Sequence, residues 1–251
     1  MSSIRNSPST RLALRIDDIG ASTKKFEVYS KRKFGNFLFL KYVPGFRAWG
    51  PYHEMTVDQW QQVLNLLRNF SAKLTVGITA VWVERNGETV PFPDKFPAQA
   101  GVIKEGWEEE LLEIANHGLT HCVVGKHLPR LFSSNRKYHR EFWDWVPREV
   151  HFEHIEKSQA ILQDYFDTEI TTLIPPGNVF SQDTIDAAQQ NGIKRINCLN
   201  VGPSNGEINI IGNESVIDFH DREIVLEGTK WLKRKLESLP EHTEFVFVKE
   251  L

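Results

Sequence analysis

The stretch LALRIDDIG, Leu12 to Gly20, constrains this chain most: an apolar run ends abruptly in two adjacent carboxylates and a glycine. Side chains alternate along a strand, so Leu12, Leu14 and Ile16 share one face while Ala13, Arg15 and Asp17 share the other. A barrel strand fits this pattern, with the leucine face packed on helices and the Arg15/Asp17 face turned inward. Neighbouring acids at the mouth of a buried strand repel each other unless something positive, usually a metal, sits between or beside them. Any further ligands have to come from elsewhere in the chain.

Helical and extended patterns alternate through the rest of the sequence. Thr56 predicts the N-cap of an amphipathic helix running to about Phe70, with Trp60, Val63, Leu64 and Leu67 on one face. Lys73 to Val83 reads as one buried β-branched strand, Trp107 to about Leu112 as a short helix, and Glu113 to His117 as its last turn or a new strand. Glu149 to Phe166 reads as a helix, Ile170 to Ile174 as a strand stopped by Pro175 and Pro176, and Ser181 to Asn191 as a helix ended by Gly192. Strands at Lys194 to Cys198, Ser215 to Phe219 and Glu244 to Val248, with a helix from about Gly228 to Leu239, complete the pattern. Residues 21–55 and 118–148 read as irregular, and excursions that long are often binding loops. Such alternation predicts an α/β fold with a parallel sheet, open or closed, whose post-strand loops meet on one face.

With 251 residues, 40% hydrophobic and 25% charged, the chain suits one barrel-sized catalytic domain over 1–251, residues 1–10 forming a flexible N-terminus. A net charge of -3 exerts no general pull toward nucleic acid or anionic membrane. No stretch approaches a membrane span and the N-terminus lacks the apolar core of a signal peptide, so the expected location is cytoplasmic. Cys122 and Cys198 lie far apart with no CxxC pair and read as reduced, buried thiols. Oligomeric state leaves no mark on the sequence.

Two further features carry ionisable groups. In Asn116-His117-Gly118-Leu119-Thr120-His121, two histidines four apart can place both imidazoles on one metal, and an oxygen from Asp18 would complete a facial set with room for water. Gly118 lets the loop bring both rings inward. An H-x-x-x-H pair is weak by itself. The strand Val216 to Phe219 runs into His220 and Asp221, where a histidine can protonate a leaving group and a neighbouring carboxylate can raise its pKa. Three separate strands ending in His or Asp weigh more than any one of them.

In that order, Asp17-Asp18 after a hydrophobic strand, the run Glu113 to His121, the Pro175-Pro176-Gly177 turn and Ile217-Asp218-Phe219-His220-Asp221 resemble the polysaccharide deacetylase pattern (NodB homology, carbohydrate esterase family 4) over residues 11–222. The resemblance implies a distorted (β/α) barrel of about seven parallel strands and a divalent metal, usually zinc, with Co2+, Ni2+, Fe2+ or Mn2+ as alternatives. Asp18, His117 and His121 would be its ligands, Asp17 the general base, His220 the general acid and the Gly177 N–H an oxyanion donor. Two positions depart from the pattern. The family's arginine before the two prolines, which holds the catalytic aspartate, is replaced by Leu173 and Ile174. Arg15, on the strand face of Asp17, is the candidate to take over that role, with a purely structural ion pair as the alternative. The family's later Asp and Trp are also missing, Asn197 and Asn200 standing in that region, which leaves Asp221 as the nearest support for His220.

Candidate substrate-binding residues are Trp49, Tyr52, Glu141, Trp143 and Asn178. Aromatic faces suit the apolar side of a sugar ring, and arginines such as Arg136 and Arg140 suit phosphate or carboxylate groups. The tryptophans serve equally well as anchors of long loops to the core. His151 and His154 are expected on an exposed helix face. The resemblance thus implies a metal-dependent hydrolase that removes an N-acyl group, foremost acetyl, from a small-molecule or oligosaccharide amino-sugar substrate. The lack of a secretion signal favours an intracellular glycan precursor, nucleotide- or lipid-linked, over a finished polymer. Two other readings stand beside it: the same machinery on a formyl or non-sugar amide, and a carbohydrate-binding protein that kept the fold and lost turnover.

Overall fold

The apolar face of the opening strand, β1 (Arg11–Ile19), has to be covered, and the elements that follow do so. The computed structural model describes residues 11–26, 52–128, 136–199 and 206–251. After β1 come α1 (Thr23–Phe26), α2 (Val57–Phe70), β2 (Leu74–Ile78), β3 (Val81–Val83), β4 (Thr89–Pro91), α3 (Phe92–Lys95), α4 (Pro97–Glu108) and β5 (Leu112–Asn116). The second half holds α5 (Arg148–Phe166), β6 (Thr172–Leu173), α6 (Gln182–Gln190), β7 (Arg195–Asn197), β8 (Asn209–Ile211), β9 (Val216–His220), α7 (Asp221–Glu227), α8 (Lys230–Glu237) and β10 (Glu244–Val246). No helix among the described residues is long and apolar enough to cross a membrane.

Seven strands run in the order β10-β1-β2-β5-β6-β7-β8, with β9 also paired to β1, and every pairing in this sheet is parallel. The sheet curls into a half-barrel with helices outside. Leu14 and Ile16 of β1, Leu74 and Val76 of β2, and Leu112 and Ile114 of β5 meet Trp60, Leu64 and Leu67 of α2 and Ile103 of α4 in the larger core. Each such large apolar side chain contributes about 1.5–3 kcal/mol when fully buried. A smaller core joins Ile155 of α5 and Ile185 of α6 to Leu173 and Ile196. Arg15, Thr75, Glu113, Thr172 and Asn197 are buried polar residues of the sheet, and hydrogen bonds join Arg15 to Asn197 and Glu113 to Thr75 and Thr172.

Several predicted boundaries shift. The run Lys73 to Val83 divides into β2 and β3, because Val81–Val83 leaves the sheet to pair antiparallel with β4; a β-branched run does not mark where one ladder ends. Trp107 belongs to the last turn of α4, which starts at Pro97, and Leu112–Asn116 is a strand rather than a helical turn. The helix expected from about Gly228 to Leu239 is α8, and an additional helix, α7, precedes it and ends at Gly228, whose φ of +77° suits glycine.

Candidate active site

Adjacent strand ends come level by register. Asp17 pairs with His220, Ile78 with Asn116, and Asn116 with Leu173, so the residues that follow β1, β5, β6 and β9 surround one opening. The β1–β2 register slips between Ile16 and Ile19, and Asp18 has a φ of +69°. This bulge cancels the alternation of the strand, and both acids line the same cavity. Aspartate is among the few non-glycine residues that enter the left-handed region readily.

Asp17 is buried, and its Oδ2 accepts from Arg15 Nη2 at 2.8 Å. Arg15 has no exposed surface; its Nη1 donates to Asn197 Oδ1 at 2.5 Å, and Asp218 Oδ2 lies 3.7 Å from Nη2. Asn197 is held in turn by donating to the Ile211 carbonyl at 2.9 Å. Asp17 Oδ1 is buried with no hydrogen-bond partner among the described residues. A Cβ on Gly77 of β2 would stand 3.4 Å from that oxygen, so the glycine leaves it room.

Asp18, His117 and His121 bring one ligand atom each within 4.8 Å of one another. His117 Nδ1 lies 2.6 Å from the Ile174 carbonyl, which can only accept, so Nδ1 carries the proton. In the neutral ring, Nε2 is then an acceptor, yet it faces Asp18 Oδ1 at 3.3 Å. His121 is anchored at Nδ1 by Thr23 Oγ1 at 3.2 Å, and its Nε2, without a hydrogen bond of its own, sits 3.0 Å from the same Asp18 oxygen. Lone pairs converging on a carboxylate oxygen need a cation, or added protons, between them. Burial pushes Asp18 up, but His121 and His117, with His220 adding to them, hold it well below the usual carboxylate range. Two ring nitrogens and a carboxylate oxygen, with both Nδ1 atoms tethered from behind, are a donor set that fits a divalent metal of the zinc type.

Glu141 is placed behind this loop and not in the cavity. Its carboxylate accepts from the Leu119 N–H at 3.0 Å, the Thr120 N–H at 3.3 Å and the His121 N–H at 2.9 Å, and pairs with His154 Nδ1. Gly118, at φ +81°, admits this approach, since a Cβ there would lie 2.2 Å from Glu141 Oε2. Burial pushes Glu141 up, yet the adjoining His154 brings it below its ordinary value; burial likewise opposes the His154 charge, and Glu141 raises it. His154 is therefore not on an exposed face. Nor is His151, which is buried against Thr184 Oγ1 of α6 at 3.0 Å.

His220 closes the other side. Burial lowers its pKa, but the carboxylates of Asp18, Asp17 and Glu223 raise it above the ordinary value overall. Asp221 does not support it. Its side chain is buried at the start of α7, where it accepts from Lys24 Nζ and from the Tyr52 hydroxyl, the latter at 2.8 Å. Burial, with Glu54 and Asp18 nearby, pushes Asp221 up to about 7 against the pull of Lys24. The carboxylate that meets His220 from α7 is Glu223, whose Oε2 accepts from the His220 N–H at 2.8 Å and lies 3.9 Å from Nδ1.

A cavity of about 230 Å³ collects Asp17, Asp18, His117, His121, His220, Gly177 and Asn178, together with Arg136, His139 and Arg140. Gly177 and Asn178 both take positive φ, +64° and +55°, which turns the chain sharply after the proline pair. Tyr52, Glu141 and Trp143 are not among the residues lining it: Tyr52 is buried under Asp221, and Trp143 lies beneath the Arg140 guanidinium at 5.4 Å and lines a neighbouring depression. Trp49 falls outside the described residues. From sequence, Asn197 stands in the region of the family's later Asp and Trp without an assigned role, and Gly77 and Glu223 are passed over. A glycine inside a β-branched strand was the available signal for Gly77; nothing local marks Asn197, whose partner is 182 positions away.

The polysaccharide deacetylase family model matches residues 50–196. The chain belongs to the polysaccharide deacetylase family. The matched stretch holds the His117/His121 loop and the Pro175–Gly177 turn of this deacetylase-family chain, while Asp17, Asp18 and His220 lie outside it and join the site through β1 and β9. No curated protein matches the chain. Among solved structures, a CE4 family pseudoenzyme from Bacillus anthracis superposes with a TM-score of 0.52 at 10% identity, over 97% of this chain and 66% of its own. The Xyl-CE4 domain of a multidomain xylanase from the hindgut metagenome of Trinervitermes trinervoides gives 0.51 at 12% identity, over 96% and 89%. A 4-alpha-glucanotransferase from Thermococcus litoralis also gives 0.51, at 11% identity, over 96% and 39%. The chain thus spans about two thirds of the length of the Bacillus protein. At these identities the likeness is one of fold, a distorted NodB-like (β/α) barrel that hosts more than one chemistry.

Proposed function

We propose that this protein is a divalent-metal-dependent hydrolase, zinc being the preferred metal, that removes an N-acyl group, foremost acetyl, from an amino-sugar-containing glycan precursor. One observation carries the reading: Asp17, whose buried Oδ1 has no hydrogen-bond partner among the described residues, lines the cavity beside the three convergent ligand atoms and level with His220. An amide needs an activated water, a stabilised oxyanion and a proton for its nitrogen. A divalent metal held by Asp18, His117 and His121 would polarise the acyl carbonyl and acidify a water. Asp17, held in place by Arg15, takes a proton from the attacking water through Oδ1. His220, whose raised pKa keeps it protonated further toward neutrality, delivers a proton to the departing amine from the adjacent strand. The Gly177 N–H is the backbone donor we assign to the oxyanion.

The test is a panel of N-acetylated and N-formylated amino sugars, free and phosphorylated, assayed for amine release by wild type and Asp17→Asn protein with metal content measured alongside. Wild-type turnover that falls by about 10²–10⁴ in Asp17→Asn, at unchanged metal content, is the expected result. A wild-type protein that binds these sugars and releases no amine is a binding protein, and that outcome overturns the proposal.

A further inference from the structure

The cavity that gathers the two acids and three histidines has a second wall, formed by Arg136, His139 and Arg140. We propose that this wall is a subsite for an oxyanion group on the substrate, a phosphate or a carboxylate carried close to the scissile amide, so that the enzyme acts on an acidic N-acyl sugar rather than a neutral one. The inference rests on the deacylation reading for the position of the amide and goes beyond it in naming the substrate class.

Arg140 is built into the site. Its side chain lies directly on the Pro176–Gly177 turn, where a Cβ at position 177 would meet Arg140 Cγ at 2.6 Å and Nε at 2.8 Å. Its guanidinium rests 5.4 Å from the centre of the Trp143 ring. Glycine below and tryptophan beside it hold the side chain across the turn whose N–H we assign to the oxyanion, so an anion bound there meets an arginine already in place. Arg136 lines the same cavity from the start of the 3-10 turn Arg136–His139.

Charge supports the same class of ligand. Among the described residues lining the cavity, Asp17 and Asp18 are the only acids. Arg15 lies against Asp17, and Asp18 belongs to the ligand set, so neither acid projects its full charge toward the arginine wall. The whole chain carries -3, so a basic wall here is local and not a by-product of composition. Low-dielectric walls of one sign concentrate ligands of the other. The neighbouring depression of about 490 Å³ is lined by Lys126, Lys137, Tyr138, Trp143, Asp144 and Trp145, two lysines against one aspartate among three aromatic rings. A substrate extending past its acidic group would lie along it.

Two measurements test the subsite. The first is titration of metal-loaded Asp17→Asn protein with N-acetylglucosamine, N-acetylglucosamine 1-phosphate and N-acetylmuramic acid, repeated in Arg140→Gln and Arg136→Gln backgrounds. We expect one or both acidic sugars to bind at least tenfold more tightly than the neutral sugar, with the advantage lost in Arg140→Gln and reduced in Arg136→Gln; the phosphate and carboxylate arms identify the source of the anion. Arg136 is exposed, so its variant remains readable if Arg140→Gln folds poorly. The second is kcat/KM on the same sugars with metal-loaded wild type and the arginine variants, where the acidic preference is expected to appear chiefly in KM. Selective, arginine-dependent binding without turnover upholds the subsite and removes the hydrolase reading. Equal binding of neutral and acidic sugars, or efficient turnover of neutral acetylated oligomers with no loss in the arginine variants, overturns the subsite and leaves the hydrolase reading standing.

Discussion

Arg15→Leu is the sharpest perturbation this structure offers. The guanidinium has no exposed surface and bridges Asp17 Oδ2 at 2.8 Å to Asn197 Oδ1 at 2.5 Å. Leucine covers the aliphatic part of that volume and leaves a buried carboxylate without its cation, a loss of about 3–5 kcal/mol when one partner of a buried pair is removed. A chain of 251 residues has an unfolding entropy of roughly 0.5 kcal/mol/K, so the melting temperature is expected to fall by about 6–10 °C. The carboxylate also loses the donor that aims it, and the hydrolytic rate is expected to drop by about 10²–10⁴, the usual worth of a positioned general base. Arg15 touches none of Asp18, His117 and His121 in the bonds described, so metal content should not change. Arg15→Lys keeps the charge but cannot span Asp17 and Asn197 at once, and is expected to fall between wild type and Arg15→Leu in both readouts. Thermal scans, metal analysis and amine-release kinetics on the three proteins suffice. An Arg15→Leu protein melting within a degree of wild type with undiminished turnover would refute the assignment of Arg15 to Asp17.

Glu141→Gln removes the charge opposite His154 while keeping a carbonyl acceptor for part of the amide cluster, and should cost about 3 kcal/mol, the lower end for a broken buried pair. The pH dependence follows from the two shifts. The raised His154 contributes stability that is complete below its ordinary value of about 6.5 and is lost as pH rises through the raised value; the lowered Glu141 contributes above about 4.5 and fades as pH falls through the lowered one. Denaturation of wild type and variant across pH should therefore show the widest gap between about pH 4.5 and 6.5; a gap independent of pH would mean that the charge is not what holds the loop. Glu223→Gln keeps an acceptor for the His220 N–H but removes one of the carboxylates that raise the His220 pKa. The alkaline limb of kcat/KM is expected to move to lower pH in this variant, and an unmoved limb would exclude His220 as the group that must stay protonated.

Much of the fold was legible because it rests on local periodicity. The face pattern of β1, the Thr56 cap of α2 and the proline stop after β6 each follow from a few neighbouring residues, and each stands where it was expected. Where one ladder ends and another begins was not legible, as the division of Lys73 to Val83 into β2 and β3 illustrates, since pairing partners lie far away in the chain. Glu141 illustrates the same limit for the site. An acidic residue in an aromatic, basic loop looks like a ligand contact, yet three backbone amides exposed by the turn at Gly118 claim it.

The amino-acid sequence alone determined which groups reach the strand ends: two acids after β1, two histidines after β5, a proline–glycine turn after β6 and a histidine at the end of β9. Those identities come from position relative to apolar runs, which a linear pattern records. Tertiary structure decided what each group faces. The bulge at Asp18 turned both acids to one side, the β1–β9 register set His220 beside Asp17, and the curl of the sheet carried Asn197 of β7 to Arg15. It also sent Asp221 to Lys24 instead of His220 and laid Arg140 across Gly177. The physical reason is the reach of the forces involved: hydrophobic period and backbone propensity act over a few residues, whereas a buried charge finds its partner only after the sheet has closed around it.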